Sequence, residues 1–536
     1  MPAVTRLRLA GSVAAIALLL TGCVVRRPPA TVALPGASNL PAGAVPESAA
    51  DVGADTPLGS TLDAIFNDPD LGPVVWSAEM RVLRGQVLRL PDETLYARNQ
   101  HLLLTPASTM KVVTVAAAAE RLGWNHRFET TLAATGEIRD GTLEGDLVVR
   151  GTGDPTINAP GTEDLLARWA GELRARGIVR IAGRIIGDDD AFDGGRRGEE
   201  TAGLGAGWAW DDLALAFSAP AGALQQHENV VELAVSPADS PGSPARIEIR
   251  APRVAPGSAS GVTLINQTVT RPEGGNTNIR LSRRPDGGAL LVTGEIPLGA
   301  PAAVRTGAVS DPTLFFVQGL RTALQRAGVD VEGEAIDIDQ FDPAVKQTLR
   351  QRLRPLIRHE SEPLSTIAVQ LMKRSQNLYA ESLLQHLGVV TGGTGDTGPA
   401  AAGAVLDEWG IGGSRAIIAD GSGLSRYNAL SAAGLLDVLA RLWRDPRHRE
   451  PFVDTLPVAG RDGTLRNRMV GSAADGAVRA KTGSMTRVRA LAGYVVAQGR
   501  EPIAFAILAN NYTVPSAEIT RAIDAAVVAI AAHAQP

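Results

Sequence analysis

Ser108-Thr109-Met110-Lys111 places a hydroxyl and an amine three residues apart at the head of an apolar stretch, Met110 to Leu122. On a helix that spacing sets both side chains on one face about a turn apart, where the amine can take the proton of the hydroxyl. Of the 52 lysines and arginines in the chain only four are lysine, Lys111, Lys346, Lys373 and Lys481. A guanidinium practically never loses its proton but a buried ammonium does, so chemistry that needs a neutral amine cannot use arginine. Lys111 lies in sequence too apolar for a solvated charge. Burial beside a second cation would lower its proton affinity far enough for it to act as a general base, and the helix start supplies N–H groups where negative charge develops.

Two further segments carry chemistry. Lys481-Thr482-Gly483-Ser484 precedes a strand-like run, Val488 to Val496. An edge strand bearing a cation, a hydroxyl and a glycine forms a docking rail for a peptide that ends in a carboxylate, and the glycine admits a close backbone approach. Ser375-Gln376-Asn377 lies where the apolar spacing Leu364, Ile367, Leu371 breaks and a new run starts at Leu378. By itself it reads as a cap or turn, and its weight comes from its place between the other two segments.

The elements that must position these groups come from both ends of the chain. Short alternating runs such as Val74 to Val82 read as strands, and the dry stretch Met110 to Leu122 reads as a helix covered on all sides, the centre of a domain. From about Glu129 to Gln351 the texture is strands with Gly, Pro and Asp turns, including a hairpin through Asp140-Gly141, interrupted by one amphipathic helix, Glu163 to Arg176. Residues from about Asn229 to Pro285 suggest a further small β module. Helices return at Leu364–Lys373, Asn377–Gly388 and Ser431–Trp443, then strands at Val488–Val496 and Pro502–Ala509 and a final helix from Pro515. The simplest arrangement is one α/β domain built from both ends, with a β-rich insert between.

Composition sets the outer bounds. The chain has 536 residues, 44% apolar and 20% charged, with a formal charge of −5, which implies several packed domains and excludes a disordered or collagen-like chain. Its single cysteine excludes internal disulfides, thiolate zinc clusters and iron–sulfur centres. Charges of both signs are mixed along its length with no basic excess, so nucleic acid is not an expected partner. Arg6 and Arg8 precede an apolar run, Leu9 to Leu20, too short to span a bilayer, which reads as a secretory signal. It ends in Leu20-Thr21-Gly22-Cys23, which resembles the bacterial lipobox, so Cys23 is the expected site of lipid attachment. The Pro/Ala/Gly-rich segment up to Ser60 is expected to tether a globular body to a membrane surface.

In the order Ser-x-x-Lys, Ser-x-Asn, Lys-Thr-Gly the three segments are the motif set of penicillin-recognising serine acyltransferases. From roughly Ser60 to its C-terminus the chain resembles the low-molecular-mass class C penicillin-binding proteins, the D-alanyl-D-alanine carboxypeptidase/endopeptidase family. Arg150-Gly151-Thr152-Gly153-Asp154-Pro155-Thr156, Gly207-Trp208-Ala209-Trp210-Asp211-Asp212, Asp420-Gly421-Ser422-Gly423-Leu424-Ser425-Arg426 and Gly460-Arg461-Asp462-Gly463-Thr464-Leu465 are similar to that family too, as is the long separation of Ser108 from Ser375. The resemblance implies an α/β (α+β) fold, a transpeptidase-like domain with an antiparallel sheet flanked by helices and nested β-rich inserts. Its expected divisions are a signal at 1–22, a lipidated tether at 23–60, the catalytic domain at 61–128 and 352–536, an insert at 129–228 and 291–351, and a nested β module at 229–290.

The same resemblance implies the roles. Ser108 would attack the carbonyl of a penultimate D-Ala, with Lys111 as base and Ser375 relaying the proton to the leaving nitrogen. Asn377 would orient the substrate amide. Lys481 would hold down the proton affinity of the pair and Thr482 would bind the terminal carboxylate, beside Gly483. The N–H groups of Ser108 and Ser484 would form the oxyanion hole. An acidic residue of the insert, with Asp193, Glu199 and Glu200 as candidates, would meet the amine of the peptide's diamino acid. No cofactor or metal is implied. The partners would be peptidoglycan stem peptides, β-lactams and, through the lipid on Cys23, a membrane, with the body outside the cytoplasm. Other readings are an envelope lipoprotein with a degenerate site that only binds wall peptides, and a β-lactamase or esterase on the same scaffold. The chain shows no Gly-x-Ser-x-Gly elbow and no His-Glu-x-x-His pair among its seven histidines, and Gly392-Gly393-Thr394-Gly395 lacks the Gly-Lys-Ser/Thr of a phosphate loop.

Overall fold

A computed structural model of the chain describes residues 53, 55–84, 91–193, 204–250, 262–283 and 288–534. Cys23, the expected signal and nearly all of the expected tether lie outside the described residues, as do Glu199 and Glu200.

The central sheet joins the two ends of the chain. Its five strands run, edge to edge, Glu93–Arg98, Val75–Val82, Ile503–Asn510, Val488–Val495 and Val478–Met485, all antiparallel. The middle strand, Ile503–Asn510, is buried at every position because helices cover both faces. Its side chains alternate accordingly. Ala504, Ala506 and Leu508 pack with Val112, Val115, Leu371, Leu435 and Leu439 on one face. Phe505, Ile507 and Ala509 pack with Leu62, Phe66, Ile523 and Val527 on the other. Those last four lie on the helices Pro57–Phe66 and Ser516–His533, so the two ends of the described body meet on one face of the sheet. The helix at Pro57 is capped by Thr56, whose Oγ1 accepts from Gly59 N at 2.9 Å, and folded structure therefore starts inside the stretch expected to be tether.

Met110–Leu122 forms the expected dry helix, with every residue from Met110 to Ala119 buried. The chain leaves the neighbourhood of the central sheet after Phe128 and returns at Ser361, and the two crossings are tied side by side. Ser361 N donates to Phe128 O and Phe128 N to Ser361 Oγ, each at 2.9 Å.

The insert is built on a five-stranded sheet in the order Ala335–Asp337, Ile185–Asp188, Leu147–Gly151, Glu129–Ala134, Arg354–Glu360. Trp169, Phe316 and Leu320 bring the helices Leu165–Ala175 and Pro312–Arg326 onto it. The Asp140-Gly141 turn forms as expected, with φ of 48° and 80° joining Glu137–Arg139 to Thr142–Glu144. Three features differ from the sequence expectation. Arg354–Glu360 pairs with Glu129–Ala134, so the insert's sheet reaches past residue 351. The two three-stranded sheets of the nested module use strands as late as Leu290–Pro297 and Ala303–Ala308. The helices Pro312–Arg326 and Pro343–Gln351 stand where the sequence texture predicts strands and turns. Each opens with Asp-Pro, which marks a turn in a strand context but here supplies the residue before the helix and a proline at its first position.

Candidate active site

Ser108 sits in a single turn, Ala107–Thr109, immediately ahead of the dry helix. Its neighbour Ala107 has φ of 48°, a left-handed conformation that a residue with a β-carbon rarely adopts unless its surroundings impose it. Two glycines leave room for it here. A β-carbon on Gly423 would collide with Ala107 O, and one on Gly483 would stand 2.6 Å from Pro106 O. The glycine of Lys-Thr-Gly, expected to admit a ligand's backbone, is thus already required by the protein's own Ser108 turn.

Lys111 is fully buried and makes three polar contacts: Asn377 Oδ1 at 2.6 Å, Ser422 O at 2.6 Å and Ser108 Oγ at 3.0 Å. The first two are acceptors only. The ammonium donates one hydrogen to each of the three; once it loses a proton, the two hydrogens that remain serve Asn377 and Ser422 and the lone pair is left to the Ser108 hydroxyl. Burial, opposed by the charges of Asp420 and Glu381, brings the Lys111 ammonium down to about 7. Burial thus yields an amine able to accept a proton at neutral pH, and the 3.0 Å contact sets it beside the Ser108 hydroxyl.

The carbonyl of Ser422 belongs to a loop organised by two buried carboxylates. Asp420 accepts from Gly423 N at 2.8 Å, Ser425 N at 2.6 Å, Asn428 Nδ2 at 2.6 Å and, from the insert, Trp208 Nε1 at 2.8 Å. Glu381 accepts from Ser422 N at 2.7 Å and Gly421 N at 3.2 Å. Burial and the nearby charge of Asp420 push the Glu381 carboxyl up to about 8 against those hydrogen bonds. Glu381 stands one helical turn after Asn377, so one face of Asn377–Val390 reaches Lys111 directly and also the loop that holds it.

Lys481, also fully buried, donates to Ser375 Oγ at 2.8 Å and to Thr482 O at 2.9 Å. Burial first, and Lys111 second, hold its ammonium well below the ordinary lysine range. The two other lysines are ion-paired, Lys346 with Asp190 and Asp339, Lys373 with Asp462. Among the described residues Lys111 and Lys481 have no such pair. Ser375 ends the helix Leu364–Arg374 in the left-handed conformation, φ 58° and ψ 40°, which turns its hydroxyl to Lys481.

Val478–Met485 is the edge strand that the sequence suggests. Segment 457–459 covers its start: Ala459 N donates to Val478 O and Ala480 N to Pro457 O, at 3.0 and 2.9 Å. By the two-residue period of a strand, the backbone groups of Thr482 and Ser484 face that same outer side, beyond the covered part. Thr482 Oγ1 donates to Thr464 Oγ1 at 2.9 Å, and Thr464 follows the 3₁₀ start at Gly463 in the Gly460–Leu465 segment.

The structure thus gathers Ser108, Lys111, Ser375, Asn377, Lys481, Thr482, Gly483 and Ser484 into one region. Asn377 Oδ1 takes a hydrogen from Lys111, and Nδ2 donates one of its two hydrogens to Phe217 O of the insert at 2.7 Å. Asp193 ends the short helix Asp190–Asp193. Glu381, Asp420 and Thr464 were not singled out individually. The signal for Glu381 was a lone acid in the run Leu378 to Leu384, four residues after Asn377.

A serine hydroxyl, a buried amine beside it, a second buried amine on another serine and an open strand edge fit a serine acyl-transfer enzyme on a penicillin-recognising scaffold. The chain belongs to the D-Ala-D-Ala carboxypeptidase 3 (S13) family, which it matches over residues 59–534, and it is a serine-type D-Ala-D-Ala carboxypeptidase. It is 34% identical over 511 residues to the D-alanyl-D-alanine carboxypeptidase of Actinomadura sp. (strain R39), covering 92% of this chain and 88% of that protein. It is 28% identical to the D-alanyl-D-alanine carboxypeptidase DacB of Haemophilus influenzae, over 77% and 82% of the two chains. The crystal structure of penicillin binding protein 4 from Haemophilus influenzae shares the fold, with a TM-score of 0.71, 24% identity, and coverage of 84% of this chain and 94% of that one.

Proposed function

We propose that Ser108 is the nucleophile and Lys111 the base in cleavage of the D-Ala-D-Ala bond of peptidoglycan stem peptides, and of cross-links in which another amine follows D-Ala. Ser108 Oγ bonds to the carbonyl carbon of the penultimate D-Ala as its proton passes to Lys111. The C–N bond then breaks, and the leaving nitrogen receives a proton through Ser375. Water attacks the resulting ester, frees the peptide and restores the Ser108 hydroxyl. The N–H groups of Ser108 and Ser484 hold the oxyanion, each donor contributing about 2.7–4 kcal/mol in comparable sites. Thr482, steadied by Thr464, receives the terminal carboxylate beside Lys481. Asn377 holds a hydrogen of Lys111 through Oδ1, and the second hydrogen of its Nδ2 serves to orient the substrate amide.

The observation that carries this reading is the fully buried Lys111 amine, without an ion pair among the described residues, 3.0 Å from Ser108 Oγ. β-Lactams are acylating ligands in the same scheme, their ring C–N bond opening in place of the peptide bond, and one related structure, of penicillin binding protein 4 from Haemophilus influenzae, is a complex with a β-lactam. The substrate places the body outside the cytoplasm, and Leu20-Thr21-Gly22-Cys23 supports a lipid on Cys23 as its anchor. Labelled penicillin is expected to give one covalent adduct on Ser108, absent in Ser108→Ala, and a pentapeptide is expected to release D-Ala faster than the enzyme hydrolyses penicillin. A folded wild type that takes no label would overturn the acyl-enzyme, and rapid penicillin hydrolysis without D-Ala release would favour a β-lactamase.

A further inference from the structure

The insert reaches the second motif through a feature that the reaction scheme leaves unused. His227, Glu228 and Asn229 are three consecutive residues in the left-handed region, with φ of 50°, 55° and 53°, and all three are buried. Such a run persists only where its surroundings impose it. Here Gln226 N donates to Asn229 Oδ1 at 3.3 Å, His227 N to Ile157 O at 3.1 Å, and Asn229 Nδ2 to Pro220 O at 2.8 Å. Next to it Gln225 Nε2 donates to Ser382 Oγ at 2.7 Å, on the helix that starts at Asn377.

The result is to aim one carboxylate out of the insert. Glu228 accepts from Arg374 Nη1 at 2.7 Å and Nη2 at 3.2 Å, and from Gln376 Nε2 at 2.5 Å. Arg374 and Gln376 are the two neighbours of Ser375. Gln376 also uses its Oε1 to accept from Leu378 N at 3.2 Å, capping the next helix. Both flanks of Ser375 are therefore fixed to one oxygen pair while Ser375 itself holds φ of 58° and meets Lys481.

We infer that Glu228 is a positioning residue: by clamping Arg374 and Gln376 to the insert it keeps Ser375 in the left-handed turn that delivers its hydroxyl to Lys481. This rests on the reading that Ser375 passes the proton to the leaving nitrogen. Glu228 has no part in nucleophilic attack, so its loss is felt where that proton is needed. An amine leaves poorly without it, whereas a thiolate leaves unaided.

The test compares a peptide ending in D-Ala-D-Ala with the matching thiolester, in wild type, Glu228→Gln, Arg374→Ala and Ser375→Ala. For Glu228→Gln, kcat on the peptide is expected to fall roughly 10- to 50-fold with KM within about twofold, while thiolester turnover stays within about threefold. Arg374→Ala, which removes an exposed partner and leaves the insert intact, is expected to show the same selectivity at smaller size. Ser375→Ala tells the two readings apart. If it loses peptide and thiolester turnover alike, the relay role of Ser375 fails. If it is peptide-selective while Glu228→Gln and Arg374→Ala are not, the clamp is overturned. Equal loss on both substrates with a lowered melting temperature in the Glu228 and Arg374 variants would make Glu228 merely structural and would equally refute the clamp.

Discussion

The protonation of Lys111 gives the sharpest expectation. With its midpoint at about 7, half of the amine is free at neutral pH. Each pH unit below that removes about tenfold, so the second-order rate constant for acylation by a fluorescent penicillin should drop roughly 50-fold from pH 7 to pH 5 and rise only about twofold from pH 7 to pH 9. Lys111→Arg keeps the charge and much of the reach, but a guanidinium is neutral in no more than about one molecule in 10⁵ at pH 7, so acylation by stopped flow should fall by at least about 10⁴. The same shift has a signature in stability that needs no turnover. The folded protein binds fewer protons than the unfolded chain between about 7 and the ordinary lysine value of 10.5, so stability rises with pH across that window. At about 1.4 kcal/mol per pH unit, the charged, buried Lys111 costs about 5 kcal/mol below pH 7. Burial of Lys481 acts with the same sign. An acylation profile flat from pH 5 to pH 8, or a Lys111→Arg variant acylating at the wild-type rate, would refute the reasoning.

Other perturbations separate the parts of the site. Thr464→Val removes the partner of Thr482 Oγ1 and should raise KM for peptides with a free C-terminal carboxylate by roughly two- to tenfold, the worth of one hydrogen bond, with kcat little changed in steady-state assays. In Gly483→Ala the new β-carbon stands 2.6 Å from Pro106 O, which displaces the Ser108 turn and should slow penicillin acylation on the order of 10²-fold while the protein stays folded by circular dichroism. His386 stacks on Phe128 and His126 with ring centroids 4.8 Å away in each case, and burial, then His126, draws it down to about 4. The unfolded chain therefore binds more protons between pH 6.5 and 4, and stability is lost as pH falls through that window, by about 3 kcal/mol at pH 4. His386→Phe should flatten that loss in urea titrations at pH 4.5 and 7, and an unchanged pH dependence would exclude His386 as its source.

The central sheet and its helices were legible because their signals are local and periodic. Met110 to Leu122 is apolar on every face, Leu364, Ile367 and Leu371 mark a helix stripe, and the final strands and helix follow their hydrophobic runs. Lys111 and Lys481 stood out because lysine is scarce in the chain and neutral-amine chemistry cannot use arginine. What stayed hidden depends on contacts between distant segments. Nothing in Ser375-Gln376-Asn377 tells that Asn377 is taken on one side by Lys111 and on the other by Phe217. Gly483 reads as an opening for a ligand until Pro106 is found against it. In the insert, Asp311-Pro312 and Asp342-Pro343 carry helix-start chemistry that also fits turns, and only packing settles the matter: Phe316 and Leu320 for the first helix, Leu349 against Val148 and Ile186 for the second.

With four lysines in the chain, the state of the central amine can be observed directly. Lysine labelled with ¹³C at Cε should give four resolvable methylene resonances whose shifts follow protonation at Nζ. The signal lost in Lys111→Arg should titrate with a midpoint near 7, while that of Lys346, held by Asp190 and Asp339, stays in its charged position through pH 10. A Lys111 resonance that remains charged up to pH 10 would contradict the account of a resting neutral amine turned toward Ser108.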